Sequence, residues 1–295
     1  MKPLKLLVVI VTYNGRRWLD RCLGSVHTWK PDGSALSAVD LFVVDNASTD
    51  GSADFVASEF PEAILVRNDR NLGFGKANNI GMRYALEKGY DYVYLMNQDA
   101  WINEITLGRL VRYAENDEDY GVLSPLQFRA DGERLDRLFE KRFRSTPDEV
   151  YDHSVVEVPF IMAAHWLLPR RTLETVGLFD EIFTHNGEDD NYCDRVRYHG
   201  LSVGVASAFA VHDREDRPLS KEAAIRLNCL SGSLARLCNI NRPLWERVCY
   251  VTFFTLVKSL KYGSTLPWKH YSDLIRMLPR IREARSRMKD PDTLS

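Results

Sequence analysis

The sequence predicts an α/β fold: an open, mostly parallel sheet covered by helices on both faces, followed by a C-terminal helical appendage. Three observations carry that expectation. Short, nearly continuous apolar runs alternate with segments whose apolar residues recur at helical spacing, as a parallel sheet requires, because parallel strands need crossover connections. Each run ends in polar or turn-forming residues. The charge is also divided: residues 1–218 hold 25 basic and 35 acidic side chains, whereas residues 219–295 hold 14 basic and 6 acidic ones.

Leu6–Val11 is a β-branched run closed by Thr12-Tyr13-Asn14-Gly15, and Arg16–Trp29 then spaces Trp18, Leu19, Cys22, Leu23 and Val26 as one face of a helix. Strand signals recur at Leu41–Val44, Ile64–Val66 and Tyr90–Met96, with helices at Ser52–Phe60 and Ala77–Glu87 between them. Residues 127–157, rich in charge and holding Asp131-Gly132 and Pro147, read as a variable insertion or lid. Periodicity resumes at Val158–Leu168, a helix is expected over Asn191–His199 with Gly200 as its stop, and a β-like run at Ala208–Val211 follows. From Leu219 the pattern is helical, broken at Pro243 and Pro267. The expected division is thus a domain over 1–218, with halves of about 1–100 and 101–218, and a basic appendage over 219–295.

Several classes are excluded. A chain with 45% hydrophobic residues is not a disordered one, and a net charge of −2 argues against nucleic acid as a partner. Five dispersed cysteines without a Cys-x-x-Cys pair indicate neither a disulfide framework nor a zinc knuckle, which fits a reducing cytosol. The first apolar run ends in turn residues without a small-residue cleavage site, so it reads as a buried strand, and no run reaches the ~20 residues of a membrane span. Neither a Gly-x-Gly-x-x-Gly nor a P-loop pattern follows the first strand.

Ligands of open α/β sheets bind beyond the carboxyl ends of the strands, so the residues after each strand are the candidates for function. Asp45 either accepts a hydrogen bond from a nucleotide, a pyrimidine N3–H being a suitable donor beside the Tyr13 ring, or closes an Asx turn. Asp50 reads as a turn or cap residue. Asp99 either offers a hard oxygen ligand to Mg²⁺ or Mn²⁺ or is a turn residue. Glu188-Asp189-Asp190 either complements a helix dipole or presents a general base at a rigid helix start. His212 is either a structural histidine or a metal ligand through its neutral imidazole.

Val9-Ile10-Val11-Thr12-Tyr13-Asn14, Val43-Val44-Asp45-Asn46-Ala47-Ser48-Thr49-Asp50-Gly51 and Asn71-Leu72-Gly73-Phe74-Gly75-Lys76-Ala77-Asn78-Asn79-Ile80-Gly81 together resemble the family 2 glycosyltransferases of GT-A fold. The resemblance continues through Leu95-Met96-Asn97-Gln98-Asp99, Gly177-Leu178-Phe179-Asp180-Glu181 and Gly187-Glu188-Asp189 to His212, and its nearest branch is the bacterial rhamnosyltransferase-like one. It implies that Thr12, Tyr13, Asn14 and Asp45 hold the nucleoside, and that Asn71, Gly73 and Asn78 line the donor pocket. Asp99 matches the metal-binding acid of an Asp-x-Asp motif whose first acid is here Asn97, which then hydrogen-bonds the donor. His212 matches a histidine completing the metal site, with Mn²⁺ or Mg²⁺ as cofactor. Asp189 matches the catalytic base, with Glu188 as the neighbouring carboxylate.

The implied activity is inverting transfer of a sugar from a UDP- or dTDP-sugar, dTDP-rhamnose among them, to a glycan or lipid-linked acceptor in cell-surface polysaccharide synthesis. Since an ordinary Asp pKa of ~3.9 makes a poor base toward an alcohol, proton transfer to Asp189 is expected late in the reaction. Two other readings are a non-catalytic nucleotide-sugar-binding protein on the same fold and a sugar-phosphate nucleotidyltransferase. The second would need a Gly-rich loop and a Thr-Arg pair where this chain has Thr12-Tyr13-Asn14-Gly15. The expected location is cytoplasmic. The basic tail over 244–289, with the apolar run Val248–Val257, either lies on the inner face of the plasma membrane or packs on the catalytic domain.

Overall fold

A computed structural model describes residues 3–290 apart from Asp32, Arg144, His185 and residues 215–218. The domain boundary expected at 218 lies outside the described residues. The chain runs β1 (Leu4–Thr12), α1 (Arg16–His27), β2 (Leu36–Asp45), α2 (Ser52–Glu59), β3 (Ile64–Arg67), α3 (Phe74–Lys88), β4 (Tyr92–Asn97) and β5 (Ala100–Ile102). It continues through α4 (Thr106–Asn116), β6 (Tyr120–Phe128), α5 (Arg137–Arg142), α6 (Pro147–His153), β7 (Val155–Glu157), β8 (His165–Pro169), α7 (Arg170–Val176), α8 (Glu188–Tyr198) and β9 (Ser202–His212). The appendage holds α9 (Lys221–Arg226), a π-helical turn at Leu227–Ser231, α10 (Gly232–Cys238), α11 (Leu244–Tyr262), α12 (Leu266–Arg276) and α13 (Leu278–Arg287).

One sheet takes the order β3-β2-β1-β4-β8-β6-β9-β5, with β7 also on β9. Strands β3, β2, β1 and β4 are parallel, β8 is antiparallel to both β4 and β6, and β6 runs parallel to β9. The two sides of the sheet follow from strand alternation. Along β1, Leu7 and Val9 face α3 through Ala77, Met82 and Ala85, whereas Leu6, Val8 and Ile10 face α1 through Leu19, Cys22 and Leu23. Each of these side chains is essentially buried, so truncating a leucine among them to alanine would cost about 2–5 kcal/mol.

Some elements differ from the sequence expectation. Strand β2 begins at Leu36, five residues early, because Leu36 and Val39 pair along β1 while Ser37 and Asp40 break the apolar pattern. Within 158–168 only His165–Pro169 opens a strand. Residues 127–157 are anchored rather than loose, since Phe139, Phe143 and Val150 are buried in the core and β7 pairs with β9. Helix α8 starts at Glu188, three residues early, which places all three acids in its first turn. The prolines of the appendage behave as start signals: Pro243 precedes α11, and Pro267 lies in the first turn of α12, where a missing N–H costs nothing.

The appendage has its own hydrophobic cluster, built from Leu234, Leu237, Val251, Leu274, Ile281 and Met288, and Ile182 and Phe183 of the catalytic part join it. Asn191 donates to the Met288 sulfur at 3.4 Å, and Arg287 lies 3.3 Å from Asp180.

Candidate active site

The donor side grows from strand ends in register. Thr12 of β1 sits opposite Asp45 of β2, and Val11 opposite Asn97 of β4, so three loops leave the sheet side by side. Their polar groups brace one another. Gln98 Oε1 accepts from the Thr12 hydroxyl at 2.8 Å and from the Tyr13 N–H at 2.9 Å. Asn14, at φ 50°, accepts from the Thr49 N–H at 2.8 Å while its own N–H donates to Ser48 Oγ at 2.9 Å. Asp50 accepts from the N–H groups of Ser52 and Arg16, each at 3.0 Å, which makes it a turn residue rather than the cap, since Gly51 occupies the N-cap of α2.

Asp45 is the exception. It is buried, and its Oδ2 accepts from the Ser48 N–H at 3.0 Å, but its Oδ1 is buried with no partner. An orphaned buried acceptor costs ~1–3 kcal/mol, so the site favours an incoming N–H donor. Tyr13, 48% exposed, follows Thr12, the β1 residue paired with Asp45.

The predicted donor-lining residues are placed less uniformly. Asn71 accepts from the Gly73 N–H at 2.8 Å, holding the turn into α3. Gly73 has φ +83°, and a Cβ there would stand 2.6 Å from the Thr184 carbonyl, so only glycine fits. Asn78 is buried with its amide on the Phe74 carbonyl of its own helix, 3.0 Å away. Its neighbour Asn79 clamps Phe179 with two hydrogen bonds of 2.8 and 3.0 Å, tying α3 to the Gly177–Asp180 turn.

Asp99 and His212 come together across β5 and β9, where Ala100 pairs with His212. His212 Nε2 lies 3.2 Å from Asp99 Oδ1, and the Arg214 guanidinium lies 3.1 Å from His212 Nδ1. Arginine has only donors, so Nδ1 accepts and Nε2–H faces Asp99. Burial pushes the Asp99 carboxyl up, but the hydrogen bond from His212, with help from the Arg214 charge, holds it below its ordinary value. Behind this pair, buried His165 donates from Nε2 to the Val211 carbonyl at 3.1 Å, and its Nδ1 accepts from the Tyr94 hydroxyl at 2.8 Å. Burial first, then the proximity of His212, lowers its pKa to about 3 and keeps it neutral.

One carboxylate oxygen and one imidazole nitrogen 3.2 Å apart suit adjacent positions on a divalent cation, and the nitrogen tilts the set toward Mn²⁺ over oxygen-seeking Mg²⁺. Among the described residues no three His, Cys, Asp or Glu side chains converge on a metal position. An ion held by this pair would therefore need further ligands from outside it. Metal on Nε2 would move the ring proton to Nδ1, and Arg214 would then have to turn away.

The other side of the site is a cavity of about 510 Å³ whose lining includes Asn97 from β4, Glu188 and Asp189 from α8, Arg214 beyond β9, and Asn228 and Arg236 from the appendage. Gly187 opens α8 at φ +96°, and a Cβ there would stand 3.2 Å from the Ser231 carbonyl, so the helix start abuts the π-helical turn. Asp189 is half-buried, with one edge on the cavity and protein around its carboxyl. Burial, then the charges of Asp190 and Glu188, raise its pKa to about 7. This corrects the expectation of an ordinary aspartate. Glu188 is buried, its Oε2 has no partner, and burial raises its pKa as well. Asp190 is drawn aside by Arg142, 3.5 Å away.

Sequence reasoning missed Gln98, His165, Arg142 and Arg214 as site residues. Gln98, between Asn97 and Asp99, and Arg214, two residues beyond His212, stood close enough to a motif to be noticed. Asn97 and Asp189 share the cavity, and Asp99 pairs with His212, whereas Asp45 and Tyr13 lie on the donor loops outside the cavity lining.

A mixed sheet that places loop tips beside a carboxylate–imidazole pair and an acid-lined cavity defines a nucleotide-sugar-type GT-A architecture. Residues 7–177 match the model of Glycosyl transferase family 2, and the chain belongs to that family. It is 25% identical over 212 residues to the dTDP-rhamnosyl transferase RfbF of Shigella flexneri, covering 70% of this chain and 66% of that protein. It is 32% identical over 111 residues to the undecaprenyl-phosphate mannosyltransferase of Micrococcus luteus, covering 37% and 43% of the two chains. The chain thus spans less than two thirds of the length of these relatives. Among solved structures, Staphylococcus aureus TarS 1-349 shares the fold at a TM-score of 0.60 and 17% identity, over 100% of this chain and 89% of that one. GalNAc-T7, solved with UDP, GalNAc and Mn²⁺, shares it at 0.55 and 14%, over 80% and 50%.

Proposed function

We propose that the protein is an inverting glycosyltransferase that moves a sugar from a UDP- or dTDP-sugar to a hydroxyl of a glycan or lipid-linked acceptor in cell-surface polysaccharide synthesis, working on the cytoplasmic side. The observation that carries this is that Asn97, at the end of a donor-side strand, and Asp189, at a rigid helix start, line one cavity. In this reading Asp45 Oδ1 accepts the pyrimidine N3–H and Tyr13 stacks on the base. The acceptor oxygen bonds to the anomeric carbon as the bond to the diphosphate breaks, the electron pair leaves with the diphosphate, and Asp189 takes the hydroxyl proton. A carboxyl with its pKa raised to about 7 is a stronger base than an ordinary aspartate and remains substantially ionised at neutral pH.

Asp99 and His212 would hold a divalent cation, which when bound supplies Lewis-acid stabilisation of the departing diphosphate. Similarity to a dTDP-rhamnosyl transferase and to an undecaprenyl-phosphate mannosyltransferase supports the donor and acceptor classes. The test is a thermal-shift screen of UDP- and dTDP-sugars with Mn²⁺ or Mg²⁺, followed by assay for slow donor hydrolysis. Selective stabilisation with hydrolysis is expected. Stabilisation without hydrolysis would leave a binding protein, and the absence of both stabilisation and hydrolysis would refute the reading.

A further inference from the structure

Helix α11 leaves one face without a partner. Its inner face buries Val251 and Thr255 in the appendage, and Val251 packs in the same cluster as Leu274 of α12. At the spacing of 3.6 residues per turn, Trp245, Cys249, Phe253, Leu256 and Leu260 form a continuous stripe on the opposite side, flanked by Tyr250 and Val257. All seven are exposed, and Trp245, Phe253 and Leu260 are exposed by 71%, 67% and 75%. A soluble surface carries scattered apolar residues, but a stripe along a 19-residue helix marks an interaction face.

Charge identifies what that face meets. Residues 241–289 hold eleven lysines and arginines against three acids. Of the acids, Glu246 pairs with Arg247 and Asp273 with Arg276, and Glu283 with Arg287. Arg242 just before α11, Lys261 at its end and Lys269 on α12 are all exposed, and Trp268 adds a second partly exposed indole beside Lys269. Apolar residues in one stripe, indole rings and surrounding cations describe a helix that lies in the plane of an anionic lipid surface. Among the described residues no helix is long and apolar enough to cross a membrane.

We infer that the outer face of α11 docks the protein on an anionic bilayer. The inference rests on the proposed transfer reaction only for its purpose: Arg247, two residues beyond the exposed Trp245, lines the cavity that holds Asp189. One turn of helix therefore joins the lipid-facing stripe to the cavity, and a lipid-linked acceptor would have to travel only about the ~10–12 Å width of a helix.

The test is flotation of the full chain with phosphatidylcholine vesicles containing or lacking phosphatidylglycerol. Binding is expected only with the anionic lipid and should fall in high salt. Phe253→Glu with Leu260→Glu should weaken it about tenfold or more, and Lys261→Glu with Lys269→Glu should weaken it as well. None of these four residues lines the cavity, so donor hydrolysis should persist in both variants. Absence of vesicle binding by the wild-type chain overturns the inference. So does a wild-type dimer in light scattering that the Phe253/Leu260 variant dissolves without vesicle binding by either protein, since the stripe would then cover a second copy. Hydrolysis measured in parallel keeps the two readings apart: vesicle binding without hydrolysis sinks the enzymatic reading alone, and hydrolysis without vesicle binding sinks the docking face alone.

Discussion

The donor loops and the acceptor-side cavity are built on opposite principles. In the donor loops nearly every polar group named is already satisfied by a neighbour: Gln98 by Thr12 and Tyr13, Asn14 by Ser48 and Thr49, Asp50 by Ser52 and Arg16. One oxygen, Asp45 Oδ1, is left over. Around the cavity, by contrast, Glu188 Oε2 and Arg247 Nε are buried without partners, and three adjacent acids push one another's charges. Under the proposed reading, the braced loops would be a preformed cradle for a fixed nucleotide. The cavity with its unsatisfied and mutually repelling groups would be where the proton moves.

The contrast is open to direct attack. The largest effect expected is on the cavity side: Asp189→Asn should lower kcat by about 10²–10⁴-fold while leaving UDP or dTDP binding unchanged in calorimetry. Loss of nucleotide binding in that variant would erase the distinction between the two sides. Next, Asp45→Asn should weaken nucleotide binding by about 10- to 100-fold, through loss of a charged acceptor worth ~1.5–3 kcal/mol, with kcat at saturating donor little changed. The pH profile gives the third test. With the pKa of Asp189 raised to about 7, the base is lost to protonation as pH falls, so the saturated rate should decline on the acid side of about 7 and level off above it. Because the Asp190 charge contributes to that rise, Asp190→Asn should move the decline to lower pH. A profile flat down to pH 5 would separate the proton transfer from Asp189. The smallest effect should come from Gln98→Ala, which removes the brace between β1 and β4 and should cost about 1–2 kcal/mol in denaturant unfolding.

The same contrast explains what could be read from the sequence. Strands β1, β2 and β4 announce themselves as apolar runs, and a parallel register delivers their following loops to one place, so Thr12, Asp45, Asn97 and Asp99 could be located from local pattern alone. The first half of β2 could not, because Ser37 and Asp40 interrupt the run that Leu36 and Val39 begin. Residues 127–157 misled for a similar reason: Phe139, Phe143 and Val150 reach the core from a stretch whose other residues are charged and outward. The cavity wall was the least legible part. Arg142, Arg214 and Arg236 come from three separate segments, and nothing in their neighbours signals that folding brings them together. Nor could the full rise in the pKa of Asp189 be seen, since its largest cause is burial created by packing, to which the charges of the three-acid run only add.

The wall that the appendage contributes is carried on its own hydrophobic cluster, yet it is tied to the sheet-bearing part through Ile182 and Phe183, Asn191 on Met288, Asn239 on Asp194 and Arg287 on Asp180. Under the proposed reading this wall would help to choose the molecule that is glycosylated, and transplanting that choice to another core of the same architecture would require those anchoring partners to travel with the helices.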